Sequence, residues 1–292
     1  MELWFIAAVV GAVLAGLSNF CFKIAAVRKY NAELFSLYGA VTSLLFVLSL
    51  MFVTGGWYFQ WNSFFLFVFI GGCLASVAGI LKVYALRYID STIYFPLFKL
   101  LAPALAIVAG ILIFNESFSF IEWVGMGLGL TVPLMLITKA ENGRQHNLAI
   151  GLGIVLVTGF ISAGVAVVNK IAIDAAVPIF GTVLYTSLGI LCTTVFIIVL
   201  KNGVRSVLMH IKNDTTPLLV FYSSLRASLI SLSLFAMLYA YTQGGTLAVV
   251  QTVHSMYILI PIVLAIVFYN EHWNIQKVIA IILSVAALAF LQ

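Results

Sequence analysis

The sequence predicts an all-α membrane protein, with ten transmembrane helices built as two inverted five-helix repeats. Three observations predict it: a shortage of charge, ten long apolar runs, and a match between the two halves of the chain.

Of 292 residues, 64% are apolar or aromatic and 8% are charged, and the mean hydropathy is +1.19. Soluble chains carry about 25% charged residues. So few charges do not cover the surface of a water-soluble protein of this size, so the solvent of most of this surface is lipid. Cys21, Cys73 and Cys192 lie singly in apolar runs and suggest neither a disulfide frame nor a metal site. The net charge of +5 comes from scattered basic residues and is not a nucleic-acid signal. No cofactor is expected.

A bilayer-crossing helix needs about 20 mostly apolar residues. The ten runs are Leu3–Phe22, Leu34–Val53, Phe64–Leu86, Ile93–Phe114, Phe118–Ile137, Leu148–Ala172, Ile179–Leu200, Leu218–Tyr241, Thr246–Phe268 and Trp273–Leu291. Turn residues separate them, as in Thr54-Gly55-Gly56, Glu141-Asn142-Gly143 and Gln243-Gly244-Gly245. No basic residue precedes the first run, which reads as a retained helix rather than a cleaved signal.

Ala85 to Glu116 aligns without a gap on Ala240 to Glu271 at an offset of 155. Lys23-Ile24-Ala25 aligns on Lys170-Ile171-Ala172, and Leu37-Tyr38 on Leu184-Tyr185, at an offset of 147. The longer loop around Lys201–Thr216 absorbs the difference. Two units follow, residues 1–140 and 148–292. Five spans per unit is an odd number, so the second unit crosses the membrane in the opposite sense. Inverted repeats are a transporter device, with substrate bound near the midplane between the two units.

The run Ala85-Leu86-Arg87-Tyr88-Ile89-Asp90-Ser91-Thr92, with Pro96, Pro103, Gly110, Asn115-Glu116-Ser117 and Gly125, resembles the EamA repeat of the drug/metabolite transporter superfamily. The second copy is Tyr239-Ala240-Tyr241-Thr242, Pro261 and Asn270-Glu271-His272. The resemblance implies ten helices, a central cavity, transport or export of a small metabolite, and residence in the cell membrane as a multi-pass protein. The second copy has Gln251 where the first has Pro96, and Pro261 one turn after the match to Pro103, so spans four and nine are expected to break at different points.

Loops 1–2, 3–4, 5–6, 7–8 and 9–10 hold eleven basic residues: Lys23, Arg28, Lys29, Lys82, Arg87, Lys139, Arg144, Lys201, Arg205, Lys212 and Lys277. The other side, with both termini, holds Lys170. Cytoplasmic loops collect Lys and Arg, which places both termini outside. The family resemblance implies the reverse.

Ionisable groups inside spans are costly and are functional candidates by default. Lys99 and His254 occupy matching repeat positions in spans four and nine. Each lies about eight or nine residues past the turn that leads its span, about 13 Å deep at about 1.5 Å per residue. Entering from opposite faces, the two reach a similar level. Lys99 could instead snorkel to the interface, and His254 could be a neutral core imidazole. Arg226 in span eight needs water, carbonyls or an anion, unless it reaches headgroups. Further candidates are Asn19, Gln251 and the repeat-equivalent pair Tyr84 and Tyr239, which could equally be interface aromatics. Ser76, Tyr94 and Asn169 are polar neighbours in the spans.

No Asp or Glu lies well inside a span. A cavity with Lys99, His254 and Arg226 is therefore electropositive and favours a carboxylate or phosphate. His254 could also couple transport to protons. The leading function is a secondary transporter of a small anionic metabolite; the alternative is a flippase for a lipid-linked anionic headgroup. An enzyme is not expected, because clustered carboxylates, a metal motif and a Ser/His/Asp grouping are all missing from the spans. Asn115-Glu116 and Asn270-Glu271 are expected to cap the helix that follows each pair, the alternative being a gate contact. Gly125 and Gly129, with Ala280 and Ser284, suggest close packing or a homodimer through helices 5 and 10.

Overall fold

The protein is described by a computed structural model covering residues 2–56, 63–85, 88–89, 91–136, 148–269 and 275–292. The helices are α1 (Leu3–Val27), α2 (Ala32–Thr54), α3 (Ser63–Ala85), α4 (Ser91–Phe114), α5 (Phe120–Met135), α6 (Leu148–Asp174), α7 (Ile179–Asp214), α8 (Pro217–Thr242), α9 (Leu247–Ser255), α10 (Leu259–Tyr269) and α11 (Ile275–Leu291). Each follows one of the ten apolar runs, the ninth being divided between α9 and α10. Among the described residues seven helices are individually long and apolar enough to cross a membrane, and Phe120–Met135, Leu247–Pro261 and Ile275–Leu291 are shorter apolar helices.

Local chemistry sets the helix ends. Asn31 accepts from the Glu33 and Leu34 amides at the start of α2. Ser119 and Glu122 form a reciprocal capping box on α5. Thr216, followed by Pro217, starts α8. Gly55 and Gly244 turn the chain with φ of 68° and 92°. The apolar part of α7 ends at Lys201, and Gly203 then breaks the helix at φ 72° and ψ 153°.

Spans four and nine behave differently, as expected from their unequal prolines. Pro96 and Pro103 sit inside an unbroken α4. In the ninth span, Met256–Ile258 tighten into a 3-10 turn between α9 and α10. Proline lacks an N–H and crowds the carbonyl four residues earlier. For Pro261 that carbonyl belongs to Tyr257, inside the tightened turn, where the Leu259 amide donates to it instead. For Pro103 the corresponding residue is Lys99.

The helices pack as a bundle in which α1 lies on α8, α3 on α6 and α7, α2 on α7 and α8, α4 on α6 and α9, and α5 on α11. The tightest crossing is α3 on α7. A Cβ added to Gly72 would strike the Thr186 carbonyl, and one added to Gly189 would strike the Phe69 carbonyl. Ser76 and Thr194 share a hydrogen bond of 3.1 Å one turn further along. Ser43 meets Ser231 at 2.8 Å and Ser187 at 3.1 Å between α2, α8 and α7. Small residues and short hydroxyls of this kind hold apolar helices together where lipid supplies no hydrophobic drive between them. Phe120, Leu112, Phe196 and Val285 each expose more than half of their surface, as suits a bundle whose solvent is hydrocarbon.

Gly125 faces Leu291 and Phe290, Gly129 faces Thr252 and Met256, and Ala280 and Ser284 are buried. This small-residue stripe is thus occupied by contacts within the chain.

Contacts at the two ends follow alternating crossings. At one end Tyr38 meets Thr215 at 2.9 Å, Arg28 lies over Tyr222, and Lys201 pairs with Glu33. At the other, Lys170 pairs with Asp174 at 2.8 Å and Glu116 meets the start of α9.

Candidate functional site

Tyr257, in the 3-10 turn that divides the ninth span, is the centre of a polar cluster in the bundle. Lys99 is only 9% exposed, and its Nζ stands 3.7 Å from the centroid of the Tyr257 ring and 5.3 Å from that of Phe98. The His254 ring meets Tyr257 edge-on at 5.3 Å. Asn19 of α1 hydrogen-bonds the Tyr257 hydroxyl, and its amide also donates to the Ala15 carbonyl at 2.7 Å. Lys99, His254 and Asn19, from three different spans, therefore meet at one ring.

His254 is oriented by a second contact. The Ser233 hydroxyl donates to the Gly11 carbonyl at 2.7 Å, and its oxygen lies 3.3 Å from His254 Nε2. With the serine proton committed to Gly11, Nε2–H of His254 is the donor to Ser233. That assigns the tautomer and leaves Nδ1 bare when the ring is neutral.

Arg226 of α8 brings in a second ring. Its Cζ lies 3.8 Å from the Phe22 centroid and 6.0 Å from that of Phe35. A Cβ on Gly39 would come within 3.4 Å of Nη1, so the absence of a side chain there makes room for the guanidinium. Arg226 Nε is buried without a hydrogen-bond partner.

Lys82 corrects the sequence reading. Counted there as a residue of loop 3–4, it belongs to the last turn of α3, with Nζ 4.6 Å from the Phe95 centroid and 5.1 Å from that of Phe22. Its position three residues from the helix end looks like a loop margin in a hydropathy count. The long stem carries the ammonium to the rings. The one signal that could have found it is a lone lysine at the end of a run otherwise free of charge.

Lys82 is close enough to feel the charges of both Arg226 and Lys99, and Lys99 is close enough to act on His254. Among the described residues no carboxylate contacts Lys82, Lys99 or Arg226. Their partners are aromatic faces, each worth about 0.5–2 kcal/mol to a cation. Ring faces stabilise positive charge without cancelling it. Tyr257 was also missed by the sequence reading. Its signal was the position four residues before Pro261, where a span loses its regular hydrogen bond.

The remaining candidates lie elsewhere. Gln251 donates to the Tyr241 hydroxyl at 2.8 Å, one turn from His254, in a network that includes Lys170 at 5.7 Å from the Tyr241 ring. Tyr84 is 37% exposed; two residues past Lys82 it is turned about 200° around α3, away from the face that carries the lysine to the rings. Tyr239 is 42% exposed and lines an apolar groove of about 470 Å³ with Leu3, Ile6, Val10, Phe180 and Phe235 on the flank of α1, α7 and α8. The structure does not bring Tyr84 or Tyr239 to the cluster. Equivalent places in a repeat ensure equivalent depth, not an inward direction.

Glu116 caps a helix, but not the one expected. The helix that follows it, α5, is capped by Ser119 and Glu122. Glu116 instead accepts from the Leu247 amide at 2.5 Å and the Ala248 amide at 3.2 Å, at the start of α9. Asn115, with φ 52°, turns the chain out of α4, and the Glu116 amide donates back to the Gly110 carbonyl at 3.0 Å. Asn270 and Glu271 lie outside the described residues.

Residues 2–138 match the EamA-like transporter family. No curated protein matches the chain. A protein of known crystal structure is 15% identical to it; the match covers 97% of this chain and 95% of that one, and the two superpose with a TM-score of 0.66, a likeness of fold. The chain is a multi-pass membrane protein whose residues 2–138 are similar to the EamA-like transporter family.

Proposed function

We propose that the protein is a secondary transporter of a small polar metabolite carrying a carboxylate or phosphate, working by alternating access at the Lys99–His254–Arg226 site. The observation that carries this reading is a set of basic side chains packed on aromatic rings with no carboxylate of the described residues against them, together with the buried, unpartnered Nε of Arg226. Buried charge is retained where something compensates it, and an anion in transit does so.

Alternating access rests on reading residues 1–140 and 148–292 as inverted repeats. The helix neighbours support that reading. α1 packs on α8 as α3 packs on α6, and α2 packs on α8 as α3 packs on α7. α1 lies against α9 and α10 as α4 lies against α6. Exchanging the first five spans for the last five reproduces these pairs. A rocking of one unit on the other would then expose the site to each side in turn. A homodimer through α5 and α11 would use their outward faces, since their small residues are engaged within the chain. The flippase reading calls for a lateral opening lined by charge, and the groove at Tyr239 is apolar.

Uptake of labelled metabolite anions into proteoliposomes tests the reading. Lys99→Gln should abolish uptake while the purified protein still elutes as a single folded species. Unchanged uptake by that variant rejects the role of the site. A melting-point screen against anions, amino acids and amines identifies the substrate class, because a ligand that binds only the folded state raises the transition.

A further inference from the structure

Lys82 stands at the same aromatic ring as Arg226. Its Nζ is 5.1 Å from the Phe22 centroid, where the Arg226 Cζ is at 3.8 Å. It also lies within electrostatic reach of Lys99. Neither ammonium makes a hydrogen bond to a described residue, and Arg226 Nε makes none. The carboxylates whose contacts are described are held elsewhere: Glu2 by Trp4, Glu33 by Lys201, Glu116 at the start of α9, Glu122 in the cap of α5, Asp174 by Lys170 and Asp214 by Asn31. Three basic groups with open donors therefore share one site with no countercharge among the described residues.

We propose that Lys82 is a specificity-determining contact of this site, and that it sets a preference for a dianion, such as a phosphate monoester or a dicarboxylate, over a monoanion of the same shape. The inference rests on the anion-site reading above. A monoanion balances one of the three charges and leaves the other two to repel each other where water is scarce. A dianion balances two, and it offers more acceptor lone pairs to the ammonium and guanidinium donors. The rings hold the cations in place but supply no acceptor. With Lys82 removed, two basic groups remain, and the second negative charge loses its nearest counterpart.

The test uses two probe pairs matched in shape and differing in charge: sulfate against methanesulfonate, and succinate against butyrate. Binding to the purified full chain is measured by calorimetry at pH 7 and constant ionic strength. The expected result is at least tenfold tighter binding of the dianion in each pair. Lys82→Met should weaken the dianions by more than the monoanions, and Lys82→Arg should retain the preference. Equal affinity within both pairs in the unaltered protein overturns the proposal. So does a Lys82→Met variant that loses all four probes to the same degree. Should Lys82→Met fail to fold, the ratios for the unaltered protein and for Lys82→Arg decide the matter. Binding of none of the four probes rejects the anion site itself, and this inference with it. Displacement of sulfate by excess phosphatidate in the micelle assigns the dianion to a lipid headgroup; retention of sulfate assigns it to a soluble solute. Both results support a dianion site.

Discussion

Glu116 folds back over Gly110 and places its carboxylate on the first amides of α9, 2.5 Å from Leu247 N and 3.2 Å from Ala248 N. A side chain on Gly110 would collide with that carboxylate. One glycine in α4 thus lets a loop residue of the first half secure a helix of the second, with negative charge at the positive end of the helix dipole.

Glu116→Gln should lower stability by about 1–2 kcal/mol, the range for a lost helix cap in a partly buried setting. Gly110→Ala should cost a similar amount by displacing the same carboxylate. The double variant should be less than additive, since both changes break one contact. Thermal unfolding in detergent measures all three. Full additivity would refute the link between the two residues.

The backbone contact of α3 on α7 leads to a second expectation. Gly72→Ala and Gly189→Ala should each cost about 1–3 kcal/mol, because backbone cannot yield as a side chain can. Gly153 and Gly164 face open space. Their replacement by Ala should be neutral or stabilising by up to about 1 kcal/mol, the difference in helix propensity. Unfolding transitions of the four variants separate the two groups.

Tyr257→Phe keeps the ring beneath Lys99 and loses the hydroxyl contact to Asn19, whereas Tyr257→Leu loses both. The leucine variant should raise the KM for anion uptake about tenfold, which corresponds to a cation–ring contact of about 1.4 kcal/mol. The phenylalanine variant should stay within about threefold, the effect of one modest hydrogen bond. Equal effects of the two would move the role from the ring to the hydroxyl.

Moving Lys82 into the bundle leaves ten basic residues on one side of the membrane against Lys170 on the other. The distribution of Lys and Arg predicts that both termini face outward. A C-terminal reporter that matures only in the cytoplasm should therefore stay dark in intact cells. A bright reporter reverses the orientation and gives preference to the topology implied by the family.

Much of the site was legible in the sequence because charge inside an apolar run stands out. Lys99, His254 and Arg226 needed only the cost of burying such groups to be noticed. Lys82 escaped because a lysine near a helix end satisfies the same arithmetic whether its stem turns outward or inward. Tyr84 and Tyr239 misled for the complementary reason: matching places in two repeats predict depth, while the direction of a side chain depends on which neighbour its helix meets.

The sequence by itself determined that this chain lives in a bilayer, where its ten apolar runs lie, and that Lys99, His254 and Arg226 lie within them, because transfer of charge and apolar surface is set by residue type and run length. Only the tertiary structure decided that Tyr257 gathers Lys99, His254 and Asn19, that Lys82 joins Arg226 at Phe22, and that Glu116 secures α9 rather than α5. Those contacts join residues far apart in the chain. They depend on how closely helices approach, which rests on single glycines such as Gly110, Gly72 and Gly189, and no run of apolar residues encodes that distance.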